Sequence, residues 1–272
     1  MKLLDTRAAN TKVSKTQKGF NAFDKAEQHV LADLFPEQFK AIRLASLSLY
    51  PNNRLCAGAK AAGCMEGCIS DSGRALIFSS VNKARKAKAD FYERDTALFI
   101  ETLKRELGNF DKLCRKQNVQ GVVRLNVFSD IQFEKHGIPQ AFPNLFFYDY
   151  TKLAARLGSG KTPDNYSLMF SYSGRAQYAK QVALALKTDV PIVVVFRGPM
   201  PEYFLDRRVV NGDASDLDNV FAGRVVIGLK EKRTLVQVVQ DATPGSQAGV
   251  AAGIRIGTTR SEEHTSELQS RE

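Results

Sequence analysis

Six short apolar runs, separated by helical or polar stretches, constrain this chain more than any other feature. They are "IRLASLSLY" (42–50), "VVRLNVF" (122–128), "LFFYDY" (145–150), "SLMFSYS" (167–173), "PIVVVFR" (191–197) and "RVVIGL" (224–229). Runs this short that are apolar on both faces read as strands buried on both sides, which is the pattern of a parallel sheet. Between the first two lies a helical stretch from a cap at Ser79 or Ser80 to Leu107. Its inward face is Val81, Ala84, Phe91, Leu98, Phe99 and Leu103, and it closes at Gly108. A second helix, "GRAQYAKQVALALK" (174–187), sits between the fourth and fifth runs. Strand alternating with helix, joined by right-handed crossovers, predicts an α/β fold: a six-stranded parallel β/α partial barrel.

In such folds chemistry collects at the carboxyl ends of the strands. The candidates there are Asn126 and Asp130 after the second strand, Tyr148, Tyr150 and Lys152 at the third, Ser171 and Ser173 at the fourth, and Arg197 at the fifth. Any one of them, Asp130 or Ser173 for instance, is also a natural helix cap. A ring drawn from several strands reads as a cofactor and substrate pocket.

The segment after the first strand, "LCAGAKAAGCMEGCISDSGR" (55–74), holds Cys56, Cys64 and Cys68 at C-x7-C-x3-C spacing among glycines and alanines. Three thiols could hold an iron–sulfur cluster and leave one iron open to a small molecule. They could instead be part of a zinc site, for which Cys114 or His136 would be the fourth ligand, although only Cys64 and Cys68 form a short knuckle. The third reading is three free thiols. Cys114, in "FDKLCRKQ", reads as a buried apolar residue of a helix. "GSGKT" (158–162) lacks the first glycine of a phosphate-binding loop and does not follow a strand, so it reads as an ordinary loop.

Residues 1–40 read as a basic arm, mobile over 1–20, followed by a short helix over "FDKAEQHVLADLF". Residues 41–230 form the β/α domain, and 231–259 read as an irregular tail or a frameshifted stretch. Residues 260–272, "RSEEHTSELQSRE", resemble a translated sequencing adapter. The formal charge is +10, and it becomes +12 without that stretch, which carries four acidic and two basic residues. This surplus favours a polyanionic partner, a nucleotide or nucleic acid, with Lys83, Arg85, Lys86 and Lys88 as a basic run. No window is apolar enough to cross a membrane, and no export signal opens the chain, so a reducing compartment is expected.

A cysteine-rich segment directly after the first strand of a six-stranded β/α barrel resembles the organisation of the radical S-adenosylmethionine enzymes, whose usual spacing is C-x3-C-x2-C. The resemblance implies an iron–sulfur cluster on Cys56, Cys64 and Cys68, with S-adenosylmethionine among Asn126, Asp130, Tyr148, Tyr150, Lys152, Ser171, Ser173 and Arg197. More closely, "LCAGAKAAGCMEGCISDSGR", "RLNVFSDIQFE", "FYDYTK", "MFSYSG", "VVVFRGPMP" and "VNGDASDLD" are similar to a family of tailed-phage proteins called gene product eighty-eight, over about Ala41 to Lys230. That implies the cytoplasm of an infected bacterium. Two functions are then expected as alternatives. One is a radical S-adenosylmethionine-like enzyme acting on a nucleotide or nucleic acid. The other is a zinc-stabilised, non-enzymatic nucleic-acid-binding protein.

Overall fold

The computed structural model describes residues 1–6, 41–64, 79–158 and 160–231, together with two short strands at 238–239 and 254–255. All six expected strands are present: β2 (Ile42–Leu47), β3 (Gln120–Arg124), β4 (Leu145–Thr151), β5 (Tyr166–Ser171), β6 (Ile192–Phe196) and β9 (Val226–Lys230). They pair in parallel and in chain order.

The sheet is longer than six strands and is not closed. β1 (Leu4–Asp5) adds antiparallel to the outer edge of β2. At the far edge β8 (Arg207–Asn211) lies parallel to β9 and carries β7 (Tyr203–Phe204) as an antiparallel hairpin. Leu205 and Asp206, with φ of 54° and 56°, give the two-residue hairpin turn its left-handed backbone. The expected six-stranded partial barrel is therefore an open, mostly parallel sheet of nine strands in sequence β1-β2-β3-β4-β5-β6-β9-β8-β7. The tail strands β10 (Val238–Val239) and β11 (Ile254–Arg255) pair with each other, and β10 also pairs with β6 at Phe196.

Strands in chain order put their connections on one side of the sheet, and the core divides accordingly. Alternate residues of β4 feed two clusters: Leu145 and Phe147 pack on the helix side, Phe146 and Tyr148 on the other. On the helix side lie α2 (Ser79–Arg94), α3 (Thr96–Gln117) and α4 (Ala179–Ala185). α3 comes so close to β3 that a side chain at Gly121 would meet Leu145 at 2.4 Å and the Cys114 sulfur at 3.0 Å. The opposite face is covered by α5 (Asp216–Val220), through Leu217 and Val220. We call this second face the inner face, because a closed barrel would enclose it.

Three expectations change here. The single helix expected from residue 79 to 107 is two helices, because Asp95 leaves helical geometry to cap α3, accepting from the Leu98 amide at 2.9 Å. α3 then passes through Gly108 to Gln117 and ends at Asn118, whose φ of 50° supplies the left-handed cap expected of the glycine. The start of the expected mobile arm is anchored: Leu3 and Leu4 are buried, their amides donate to the Glu106 carboxylate, and Lys88 donates to the Leu3 carbonyl at 2.6 Å. Lys88 is thus removed from the expected basic surface run. Residues 7–40, with the expected helix over 23–35, lie outside the described residues. No helix among the described residues is long and apolar enough to cross a membrane.

Candidate functional site at the carboxyl edge of the sheet

The segment leaving β2 turns back over the carboxyl ends of its neighbours. Asn52 fixes the turn: its side-chain oxygen accepts from the amides of Arg54 and Leu55, and its carbonyl from that of Cys56. The Leu55 carbonyl accepts from the Asp130 amide at 2.8 Å, and the Cys56 thiol donates to the Phe128 carbonyl at 3.5 Å. A single turn, α1 (Ala59–Ala62), follows and ends at Gly63, whose φ of +69° and contact with the Arg175 guanidinium exclude a side chain. Ser173 donates to the Ala62 carbonyl at 3.0 Å.

Cys56 and Cys64 are both half-buried against the helix-side core. Cys68 lies outside the described residues, and among the described residues no three His, Cys, Asp or Glu are gathered to hold a metal ion. Among the described residues, neither proposed fourth ligand joins Cys56 and Cys64 in a metal-holding group. Cys114 is buried under Gly121, near the amino end of β3, with burial pushing its thiol up to about 12. His136 is engaged with the Tyr92 hydroxyl at 3.3 Å.

A buried polar web ties β3, β4 and β5 together on the helix side. Asp149 accepts from the Asn126 amide at 2.7 Å, the Asn126 side chain at 3.1 Å and the Tyr166 hydroxyl at 2.9 Å. The Asn126 side-chain oxygen accepts from Ser129 and from the Ile131 amide. Arg156 donates to both Glu134 oxygens at 2.9 Å, to Asp130 at 2.6 Å and to the Tyr166 hydroxyl at 3.1 Å. Asp130 also accepts from Thr151 and from the Lys152 amide. Burial pushes the Asp149 carboxyl up to about 6, against the opposing pull of Arg124 and the Asn126 amide. Asp130 is raised too, again by burial, with Arg156 opposing.

The inner face holds a separate quartet. Asp216, fully buried at the start of α5, accepts from Arg124 at 3.0 Å, Tyr148 at 3.3 Å and Tyr150 at 2.7 Å. The Arg124 guanidinium lies 4.6 Å from the centre of the Tyr150 ring. Burial, then the Asp216 charge, hold both tyrosine hydroxyls well above the ordinary range. Burial disfavours the Arg124 cation, but Asp216 and the tyrosines more than offset it, so it stays firmly charged.

The sequence candidates therefore divide among four settings. Asn126 and Asp130 belong to the helix-side web, and Tyr148 and Tyr150 to the inner quartet. Lys152 donates to the carbonyls of Ser171 and Tyr172, and its own carbonyl accepts from Tyr178. Ser171 and Ser173 flank it, Ser173 holding α1. Arg197 lies apart, paired with Glu231 at 2.8 Å on the surface. Sequence reasoning passed over Arg124, Glu134, Arg156, Tyr166 and Asp216. A usable signal existed for Asp216: Ser215 is an N-cap followed by Asp216 and Asp218, and its hydroxyl accepts from the Leu217 and Asp218 amides.

The architecture defines the class: an α/β protein with an open, mostly parallel sheet and two buried polar networks toward the strand carboxyl ends. Within that class the chain belongs to the gene product 88 family, whose family model matches residues 3–248. The match takes in β1 and passes beyond Lys230, and so is longer at both ends than the similarity read from the motifs. No curated protein and no solved structure matches the chain.

Proposed function

We propose that the protein is an iron–sulfur enzyme of the infected cell's cytoplasm, with Cys56, Cys64 and Cys68 holding the cluster at the carboxyl edge of the sheet and a nucleotide or nucleic acid as substrate. One observation carries the reading: the two described thiols are half-buried on a segment pinned over the strand ends by Asn52, Asp130 and Ser173. The donor chemistry suits a soft metal centre. A cluster held by three thiolates supplies one-electron chemistry and an open iron. The chain's own part is to hold the segment, through the Asn52 side chain, the Asp130 amide and the Ser173 hydroxyl.

The eight residues assigned to S-adenosylmethionine do not suit one pocket. Asn126 and Asp130 are saturated in the web, Tyr148 and Tyr150 lie on the opposite face from the thiols' packing, and Arg197 is at the surface.

A second reading, a zinc-stabilised protein that binds nucleic acid without catalysis, is favoured by the basic start of α2. Arg85 lies 4.1 Å over the Phe128 ring and Lys86 4.8 Å over Tyr50, so cations and aromatics interleave beside the same rim. Anaerobic purification with iron, sulfide and zinc analysis separates the two. The enzyme reading expects a brown protein whose visible absorption is lost in Cys64→Ala. A colourless protein with stoichiometric zinc and salt-sensitive nucleic-acid binding sinks it in favour of the second, and a metal-free protein sinks both.

A further inference from the structure

Arg124 ends β3 on the inner face and is 8% exposed. Asp216 holds its guanidinium through Nη1 alone, at 3.0 Å. Nε is shielded from water and has no hydrogen-bond partner. An unpaired buried donor costs about 1–3 kcal/mol. This one lies at the strand end where ligands of open parallel sheets bind.

Other arginines share the orphaned Nε but not its setting. Arg207 directs its terminal nitrogens to the carbonyls of Leu186, Thr188 and Val190, locking the end of α4 to β8. Arg43 faces the helix side and donates to Gln117. Arg124 instead is held at one edge by Asp216 at Nη1 and on one face by the Tyr150 ring 4.6 Å away. A fixed guanidinium presents Nε–H and one terminal N–H as a parallel fork, the spacing that matches two oxygens of a phosphate.

Ser46 places a further hydroxyl on this face. It is the register partner of Arg124 across the β2–β3 pair and is 4% exposed. Strand alternation puts it on the same face as Ile42 and Leu44. The Arg124–Asp216 pair is itself neutral, so recognition rests on the fork and the orphaned donor, while the net charge of +10 concentrates anions around the molecule.

We propose that the inner face binds the phosphate group of a small phosphorylated ligand, with Arg124 and Ser46 as donors and Asp216 as a positioning residue. The site lies on the opposite face from the thiols' packing and needs no metal, so it stands or falls separately from the cluster.

Calorimetric titration of the full chain with inorganic phosphate, adenosine 5′-monophosphate and adenosine tests it. Phosphate and the monophosphate should bind and adenosine should not. Arg124→Lys, which keeps the charge and loses the fork, should weaken phosphate binding about tenfold or more, while the surface variant Arg197→Gln leaves it unchanged. On the unmodified chain, an exchange-protected arginine Nε–H resonance should shift when phosphate is added, which gives a reading even where the lysine variant folds poorly. Four results overturn the proposal: no phosphate binding by the wild type, equal affinity for adenosine, undiminished affinity in folded Arg124→Lys, or protected Nε–H resonances that stay in place.

Discussion

Two buried ion-pair systems lie back to back across the carboxyl end of one sheet, and they are satisfied to different degrees. On the helix side Arg156 uses all three guanidinium nitrogens, on Glu134, Asp130, Thr151 and Tyr166. On the inner side Arg124 uses one. Saturation of this kind fixes three strand ends relative to one another and leaves nothing to offer a ligand. The partly satisfied arginine gives up stability and keeps donors in reserve, and that difference separates a structural network from a candidate binding site.

Substitution by lysine should expose the contrast most strongly. At Arg156 a lysine cannot bridge Glu134 and Asp130 together, and losing several charge-assisted bonds in a buried setting should cost about 3–5 kcal/mol. At Arg124 the lysine can still reach Asp216, and the loss should be about 1–2 kcal/mol. Urea midpoints for the two variants measure this directly. Equal losses would erase the distinction between the two systems.

The pH dependence of stability sharpens the helix-side half. The Asp149 carboxyl is raised from 3.8 to about 6 on folding, so the folded state holds this proton more tightly than the unfolded one. Its contribution is complete below about pH 4 and is lost as pH rises through about 6, amounting to about 3 kcal/mol by pH 7.5. Asp149→Asn removes that titration. The variant is destabilised at every pH, since its amide meets donors from Asn126 and Tyr166, but its stability should fall less steeply than the wild type's between pH 4 and pH 7.5. Parallel pH profiles would show that Asp149 is already ionised across this range.

The smallest effect concerns the cap that carries Asp216. Ser215→Ala frees the Leu217 and Asp218 amides and should cost about 1 kcal/mol. Because Asp216 holds Arg124, phosphate affinity should fall as well, whereas Asp95→Ala, a comparable cap loss on the helix side, should lower stability and spare phosphate binding. If both cap variants leave affinity untouched, the positioning role of Asp216 is lost.

Much of the framework was legible from the residues. The run "LFFYDY" is apolar at successive positions because β4 is buried on both faces, "IVVVF" shows the same pattern at β6, and short apolar runs marked all six strands of the parallel core. The two-residue edge strands were not legible, because two residues carry no periodicity: Leu4–Asp5 is a strand only because β2 leaves an edge open and Glu106 accepts the Leu3 and Leu4 amides. The helix break was hidden in the same way. Asp95 interrupts an otherwise continuous helical pattern by one residue, and its role as a cap follows from its backbone angles.

For the site, local sequence named the strand-end residues but not their faces or partners. Tyr148 and Asp149 are neighbours in the chain and point to opposite sides of the sheet, one to Asp216 and the other to Asn126 and Tyr166. Arg124 and Asp216 are 92 residues apart and meet because α5 folds across the inner face. The sequence by itself determined the parallel strands, their order along the chain and the polarity of their carboxyl ends, since these follow from burial acting on short stretches. Which polar groups saturate one another, and which arginine is left with a free donor, was decided by tertiary structure, because a hydrogen bond needs a partner that only the folded chain brings within 3 Å.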